Sequence, residues 1–274
     1  NDTLVSVTST SEYLAVLQGI SATDVNYLDF ASMATGAQSF TGTVGDDVFI
    51  GAAGIDTVTT NTGTDVILTS SGDDVITVDG AGNKTINGGT GTDSLNISSI
   101  SNLSSASELI LANDGTSFTI TLSDGSVIST SNLEDFKVSG VDYGVYDYRA
   151  YEIGGGTTGG VRGVFLDSAT GAAYLAKSAI TNSGSTTYNG GRMLYNVVDG
   201  VTVTSVKGTD LADEFGNSGQ TWNNVSVDLG GGDDFSYKTA FGNNANISWG
   251  AGNDIAQIKM SASDLSSLNM ANFD

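Results

Sequence analysis

Large apolar residues return every nine positions between Gly42 and Asn96, at Phe49, Val58, Ile67 and Ile76, then at Ile86 and Leu95 after one inserted residue. Glycine-rich polar stretches separate them. A three-residue run between such turns predicts a short strand whose middle side chain points inward, because successive side chains of a strand alternate between its two faces. Two runs then make one turn of a solenoid, and the runs fall into two columns. The outward neighbours in the first column, Val48, Ile50, Val66 and Leu68, are also apolar, so that sheet is expected to be covered by the flanking chain or by a neighbouring subunit. The second column shows Thr57, Thr59, Val75, Thr77, Ser94 and Asn96, a face expected to meet solvent.

The pattern divides the rest of the chain. Residues 1–41 carry short β-prone stretches, Leu4–Val7 and Tyr13–Leu17, with Ser11–Leu17 the one segment whose spacing also allows a helix. Residues 98–140 lose the nine-residue phase. There SFTITLSDGSVIS, Ser117–Ser129, predicts a hairpin turning at Ser-Asp-Gly, and Leu133, Phe136 and Val138 are expected in the core. Residues 141–205 gather Tyr143, Tyr146, Tyr148, Tyr151, Tyr174, Tyr188 and Tyr195 with Arg149, Arg162 and Arg192, which suits either a ligand surface or a half-buried strand face with local ion pairs. GGGTTGG from Gly154 and GGRM from Gly190 are expected turns, since neither continues as a phosphate-binding loop. From residue 206 the solenoid style returns in KGTDLADEF, VDLGGGDDF and ISWGAGNDI. ISATDVNYLDF from Ile20 is echoed by MSASDLSSLNM from Met260, which suits either a larger tandem repeat or similar rungs by shared composition.

The turns of the nine-residue units carry the candidate chemistry. In order they read GTVGDDVFI from Gly42, GAAGIDTVT from Gly51, TNTGTDVIL from Thr60, TSSGDDVIT from Thr69, DGAGNKTIN from Asp79 and GGTGTDSLN from Gly88. Glycine holds position four in all of them, and Asp holds position six in all but the one with Lys84. Glycine permits positive φ and a tight turn whose carbonyls point inward beside the Asp carboxylate, and an all-oxygen ligand set suits a hard cation.

These motifs resemble the repeats-in-toxin (RTX) calcium-binding β-roll family, over about a fifth of the chain. The resemblance implies Ca2+ between turns stacked one coil apart, held by Asp carboxylates and backbone carbonyls. Residue by residue it points to Asp47 and Asp65 in one column, Asp56, Asp74 and Asp93 in the other, and the turn glycines Gly45, Gly54, Gly63, Gly72, Gly88 and Gly91. Two good sites are expected in the second column and one in the first. Lys84 removes a ligand and adds a like charge, so the last site of the first column is expected to be weak or filled by Lys84 itself. In the C-terminal block Asp234 and Asp254 occupy equivalent turn positions, and Asp210, Asp213, Asp233 and Asn253 offer further oxygens. The SNLE run in Ser131–Gly140 resembles rungs that link calcium blocks in large bacterial surface proteins of this family.

Composition narrows the function. The chain has 274 residues, 37 of them Gly, with no Pro, Cys or His, and its net charge of −22 disfavours nucleic acid and anionic lipid while attracting divalent cations. Without His or Cys there is no Ser-His-Asp or Cys-His centre, no HExxH zinc site and no disulfide. No apolar run reaches the ~20 residues of a membrane helix. Asn1 and the lack of a leader suggest part of a longer or processed polypeptide. The expected fold class is all-β, a calcium-binding parallel β-roll plus an irregular β region and a second degenerate β-solenoid. The expected role is that of a non-enzymatic extracellular structural protein, exported by type I secretion as the resemblance implies, forming a surface layer, filament or adhesin stalk by self-association. The rival reading is a module of a secreted RTX protein that binds or modifies polysaccharide, with a cell-surface glycan as partner.

Overall fold

Backbone pairing carries the inward column of each nine-residue unit directly onto the next. In the computed structural model, which describes residues 3–7, 12–17, 36–112, 116–146, 160–182, 185–259 and 269–271, the N-terminal repeats form a parallel β-roll. On one wall Phe40 pairs in register with Val58, Val58 with Ile76, Ile76 with Leu95, and Leu95 with Phe136. On the other, Phe49 pairs with Ile67, Ile67 with Ile86, and Ile86 with Thr130. Phe49 is 6% exposed and the five other predicted inward residues are at most 1% exposed. Fully burying such side chains stabilises by about 1.5–3 kcal/mol each.

One 12-stranded sheet runs through the segments that the sequence pattern separates. It begins with Ser39–Thr41 and passes through Ser94–Ile97 to Asp135–Val138. There it changes to antiparallel pairing through Val141–Tyr146, Val164–Asp167 and Ala172–Leu175. Parallel stacking then resumes through Ser205–Lys207, Ser226–Asp228, Asn246–Ser248 and Asn269–Ala271. The irregular region is thus a meander inserted into a continuing solenoid. An eight-stranded sheet, which includes Val48–Ile50, Asp65–Leu68 and Lys84–Asn87, forms another wall around the N-terminal repeats. A six-stranded sheet that includes Glu214–Phe215 and Phe235–Phe241 accompanies the C-terminal repeats. Two buried clusters fill the interior. The first joins the roll to Phe118, Phe136 and Phe165, and the second gathers Phe215, Trp222, Phe241 and Trp249.

The hairpin is present as expected, with Phe118–Leu122 antiparallel to Val127–Ser131, Asp124 accepting the Ser126 N–H at 2.8 Å, and Leu133, Phe136 and Val138 buried. The helical alternative at Ser11–Leu17 is corrected: Glu12–Leu17 is a strand antiparallel to Thr3–Val7. A segment this short cannot offset the cost of nucleating a helix, whereas a neighbouring strand supplies its backbone partners. On the outer face of the first column Val48 is 65% exposed, while Ile50, Val66 and Leu68 are half-buried. In the second column Thr57 and Val75 are exposed as expected, whereas Thr59, Thr77, Ser94 and Asn96 are half-buried. The Ile20 phrase, all of its Met260 echo except residues 269 and 270, Tyr148, Arg149, Tyr151 and residues 154–159 of the glycine run lie outside the described residues.

Candidate metal centre

Each turn is built so that the next can stack on it at backbone contact. Gly72 has φ +141°, and a Cβ there would fall onto the carbonyl of Gly54; Gly91, φ +144°, stands in the same relation to Gly72. Gly45, Gly63 and Gly82 stack likewise in the first column. Gly88 plays a different part: it precedes the turn, and its carbonyl accepts the Thr69 hydroxyl at 2.6 Å.

The aspartates form ladders. One oxygen of each accepts the backbone N–H of the corresponding residue one coil earlier: Asp65 from Asp47 at 3.0 Å, Asp74 from Asp56 at 2.7 Å and Asp93 from Asp74 at 2.9 Å. Glu134 extends the second column, its Oε2 accepting the Asp93 N–H at 2.8 Å. The C-terminal block repeats the design. Asp213 accepts from Gly191 at 2.6 Å, Asp234 from Asp213 at 2.8 Å and Asp254 from Asp234 at 2.9 Å.

The second oxygen distinguishes the start of a column from its continuation. In Asp47, Asp56 and Asp213 it turns back to its own turn, accepting the N–H of Thr43 (2.6 Å), Ala52 (3.0 Å) and Thr209 (2.7 Å) respectively. In Asp65, Asp74, Asp93, Asp234 and Asp254 the buried Oδ2 accepts no hydrogen bond; that of Asp65 has the Lys84 ammonium beside it, and the Thr69 hydroxyl near Asp74 is spent on the Gly88 carbonyl. Burial pushes the Asp93 carboxyl up to about 6 and that of Asp234 up to about 8, and it raises that of Asp74 as well. It also lifts Asp213 to about 7, against the opposing N–H donors of Thr209 and Gly191. A buried carboxylate oxygen without a donor is costly, and a cation or a proton removes that cost.

Lys84 marks where the oxygens of such a turn converge. Its side chain is wholly buried, and Nζ lies 3.1 Å from Asp65 Oδ2 while donating to the carbonyls of Gly63 (2.7 Å), Ala81 (3.1 Å) and Gly82 (3.4 Å). By register, the corresponding oxygens in the second column belong to Asp74, Gly72, Thr90 and Gly91. In the C-terminal block they belong to Asp234, Gly232, Ala251 and Gly252. Among the described residues no group of three or more His, Cys, Asp or Glu side chains gathers, so main-chain carbonyls have to supply much of any coordination shell. All-oxygen sites of mixed carboxylate and carbonyl character fit Ca2+ rather than a transition metal.

No protein-family model matches this chain. No curated protein matches it either. Among solved structures, the crystal structure of extracellular lipase LipA from Serratia marcescens aligns with 87% of this chain and 33% of its own, at 16% identity and a TM-score of 0.19. This chain therefore spans about a third of that lipase, and a likeness at so low a score bears on neither function nor site.

Other predicted residues sit elsewhere. Asp210 stands outside the ladder, its carboxylate 2.7 Å from Lys177 Nζ. Asp233 accepts the Asn253 N–H at 2.9 Å on the exposed side of the turn, as Asp73 does from Thr92. In the Tyr/Arg stretch, Tyr143 is buried against Phe136, Tyr146 donates to Asp199 at 2.8 Å, and Arg192 pairs with Glu214 at 2.6 Å. Arg162 donates to the Gly190 carbonyl at 3.0 Å. Glu134 lies outside the nine-residue phase, so the repeat pattern does not mark it, although it opens the rung after the last repeat.

Proposed function

We propose that this chain is a calcium-stiffened structural module of a secreted or cell-surface protein, working as part of a surface layer, filament or adhesin stalk. The observation that carries this reading is the set of buried, partnerless Oδ2 atoms of Asp74, Asp93, Asp234 and Asp254, which recur at stacked glycine turns. Calcium bound there supplies positive charge between rungs and bridges successive coils. The chain's part is to hold the carbonyls and carboxylates in register and to shut water out with the inward apolar columns. Low cytosolic calcium leaves such a chain loose enough for export, and millimolar calcium outside the cell folds it. The exposed Val48 on an otherwise half-buried apolar face gives self-association a surface.

In this reading the chain has no catalytic role. The rival, a module that binds or modifies polysaccharide, would need an open aromatic or carboxylate surface. The described Tyr143 and Arg192 instead serve the core and a local ion pair. Circular dichroism and electron microscopy with calcium and with chelator test the proposal. Gain of β-signal together with ordered sheets or fibres on adding calcium supports it. A monomer that is equally folded in chelator sinks it, and a monomer that binds or cleaves an acidic glycan favours the rival.

A further inference from the structure

Lys84 stands in the sixth position of its turn, where every other repeat of the roll carries Asp. A lysine is almost never fully buried unless its ammonium is paired, and this one is 1% exposed. Its three N–H donors face four oxygens: Asp65 Oδ2 and the carbonyls of Gly63, Ala81 and Gly82. Two of these oxygens belong to the coil of Asp65 and two to the coil of Lys84, so one ammonium clasps successive coils. The next rung explains why the column closes here. There Ile128 lies opposite Lys84 and the Ser126 hydroxyl accepts the Gly82 N–H at 2.9 Å, whereas in the second column the Glu134 carboxylate accepts the Asp93 N–H at 2.8 Å.

We infer that Lys84 is a tethered cation that locks the interface between the coil of Gly63–Asp65 and the coil of Ala81–Lys84 without any bound metal. A covalently attached charge does not dissociate when the free ion is scarce. This interface therefore stays stacked in chelator and gives the roll a fixed rung onto which the ion-dependent rungs of the second column assemble. The contrast with the second column rests on the calcium reading above; the lock itself does not.

The test is residue-resolved amide hydrogen exchange on the whole chain in chelator and in calcium. The Gly63 N–H, bonded to the Ala81 carbonyl, and the Asp65 N–H, bonded to the Asn83 carbonyl, report the locked interface. The Gly72 N–H, bonded to the Thr90 carbonyl, and the Ser94 N–H, bonded to the Asp74 carbonyl, report the second column. In chelator the first pair is expected to stay protected while the second exchanges. Lys84→Met, which keeps the stem and deletes the charge, is expected to lower protection of the first pair roughly tenfold or more. Lys84→Asp is expected to make that protection depend on calcium and to add one bound calcium per chain.

Fast exchange of the Gly63 and Asp65 N–H groups in wild-type protein in chelator overturns the lock, as does full protection of that pair in Lys84→Met. If Lys84→Met does not fold, Lys84→Asp decides: protection restored by calcium upholds the inference, and protection that calcium does not restore overturns it. A wild-type chain that binds no calcium defeats the functional proposal alone, since the comparison of wild type with Lys84→Met in chelator still reads the lock.

Discussion

Two glycines of the same sign of φ show how much of a turn's requirement comes from its neighbour. Gly125, φ +87°, turns a hairpin with open space where a Cβ would go, whereas at Gly72, φ +141°, a Cβ meets the Gly54 carbonyl. Gly125→Ala is expected to cost about 1–2 kcal/mol for the left-handed backbone alone. Gly72→Ala is expected to cost more and to lower calcium affinity as well, read by urea unfolding with and without the ion. The carboxylates follow similar reasoning. Asp74 holds the Asp56 N–H with one oxygen and leaves the other free, so it serves the coil interfaces on both of its sides. Asp74→Ala is therefore expected to weaken calcium binding by calorimetry more than Lys84→Ala does, and equal losses would contradict the division into two columns.

Strands of three or four residues are too short to stand alone, and their stability comes from stacking in register. Ile67 lies between Phe49 and Ile86 on its wall and is fully buried. Ile67→Ala is expected to destabilise by about 2–5 kcal/mol in thermal or denaturant melts. Val48, one residue before the inward Phe49, is exposed, so Val48→Thr is expected to change monomer stability by less than about 0.5 kcal/mol. A loss of calcium-induced assembly in that variant, without loss of folding, would identify the outer face of this sheet as the contact between copies. The hairpin of Phe118–Leu122 and Val127–Ser131 joins the two styles of structure, since its second strand pairs in parallel with Lys84–Asn87 while its first pairs antiparallel to it.

Across the molecule, stacked carboxylates tie stability to pH and to ions. The folded chain retains protons on Asp93 up to about 6, on Asp213 up to about 7 and on Asp234 up to about 8, whereas an unfolded Asp releases its proton near 3.8. Between those values the folded state binds more protons than the unfolded state, so stability falls as pH rises. In chelator this contribution is expected to be fully present below about pH 4 and lost progressively through about pH 6 to 8. Under the calcium proposal the ion would compete with the protons on Asp93 and Asp234, so its affinity is expected to climb over the same window. Melting temperatures in chelator and in calcium at about pH 5 and pH 8.5 check both signs. A chelated chain that melts higher at the alkaline value would contradict the buried-carboxylate account.

The nine-residue period was enough to place Phe49, Val58, Ile67, Ile76, Ile86 and Leu95 inside, because a repeat on one face of a strand is a local property of the chain. The same regularity made Lys84 visible as the exception to its column, and the Ser-Asp-Gly turn announced the hairpin. Distant stacking was needed to bring Glu134 under Asp93, to enlist Asp213 at the head of the C-terminal ladder and to draw Asp210 away to Lys177. Whether a carboxylate oxygen finds an N–H, an ammonium or no donor depends on the coil that lands beside it. That coil is set by long-range register, which no short window of residues contains.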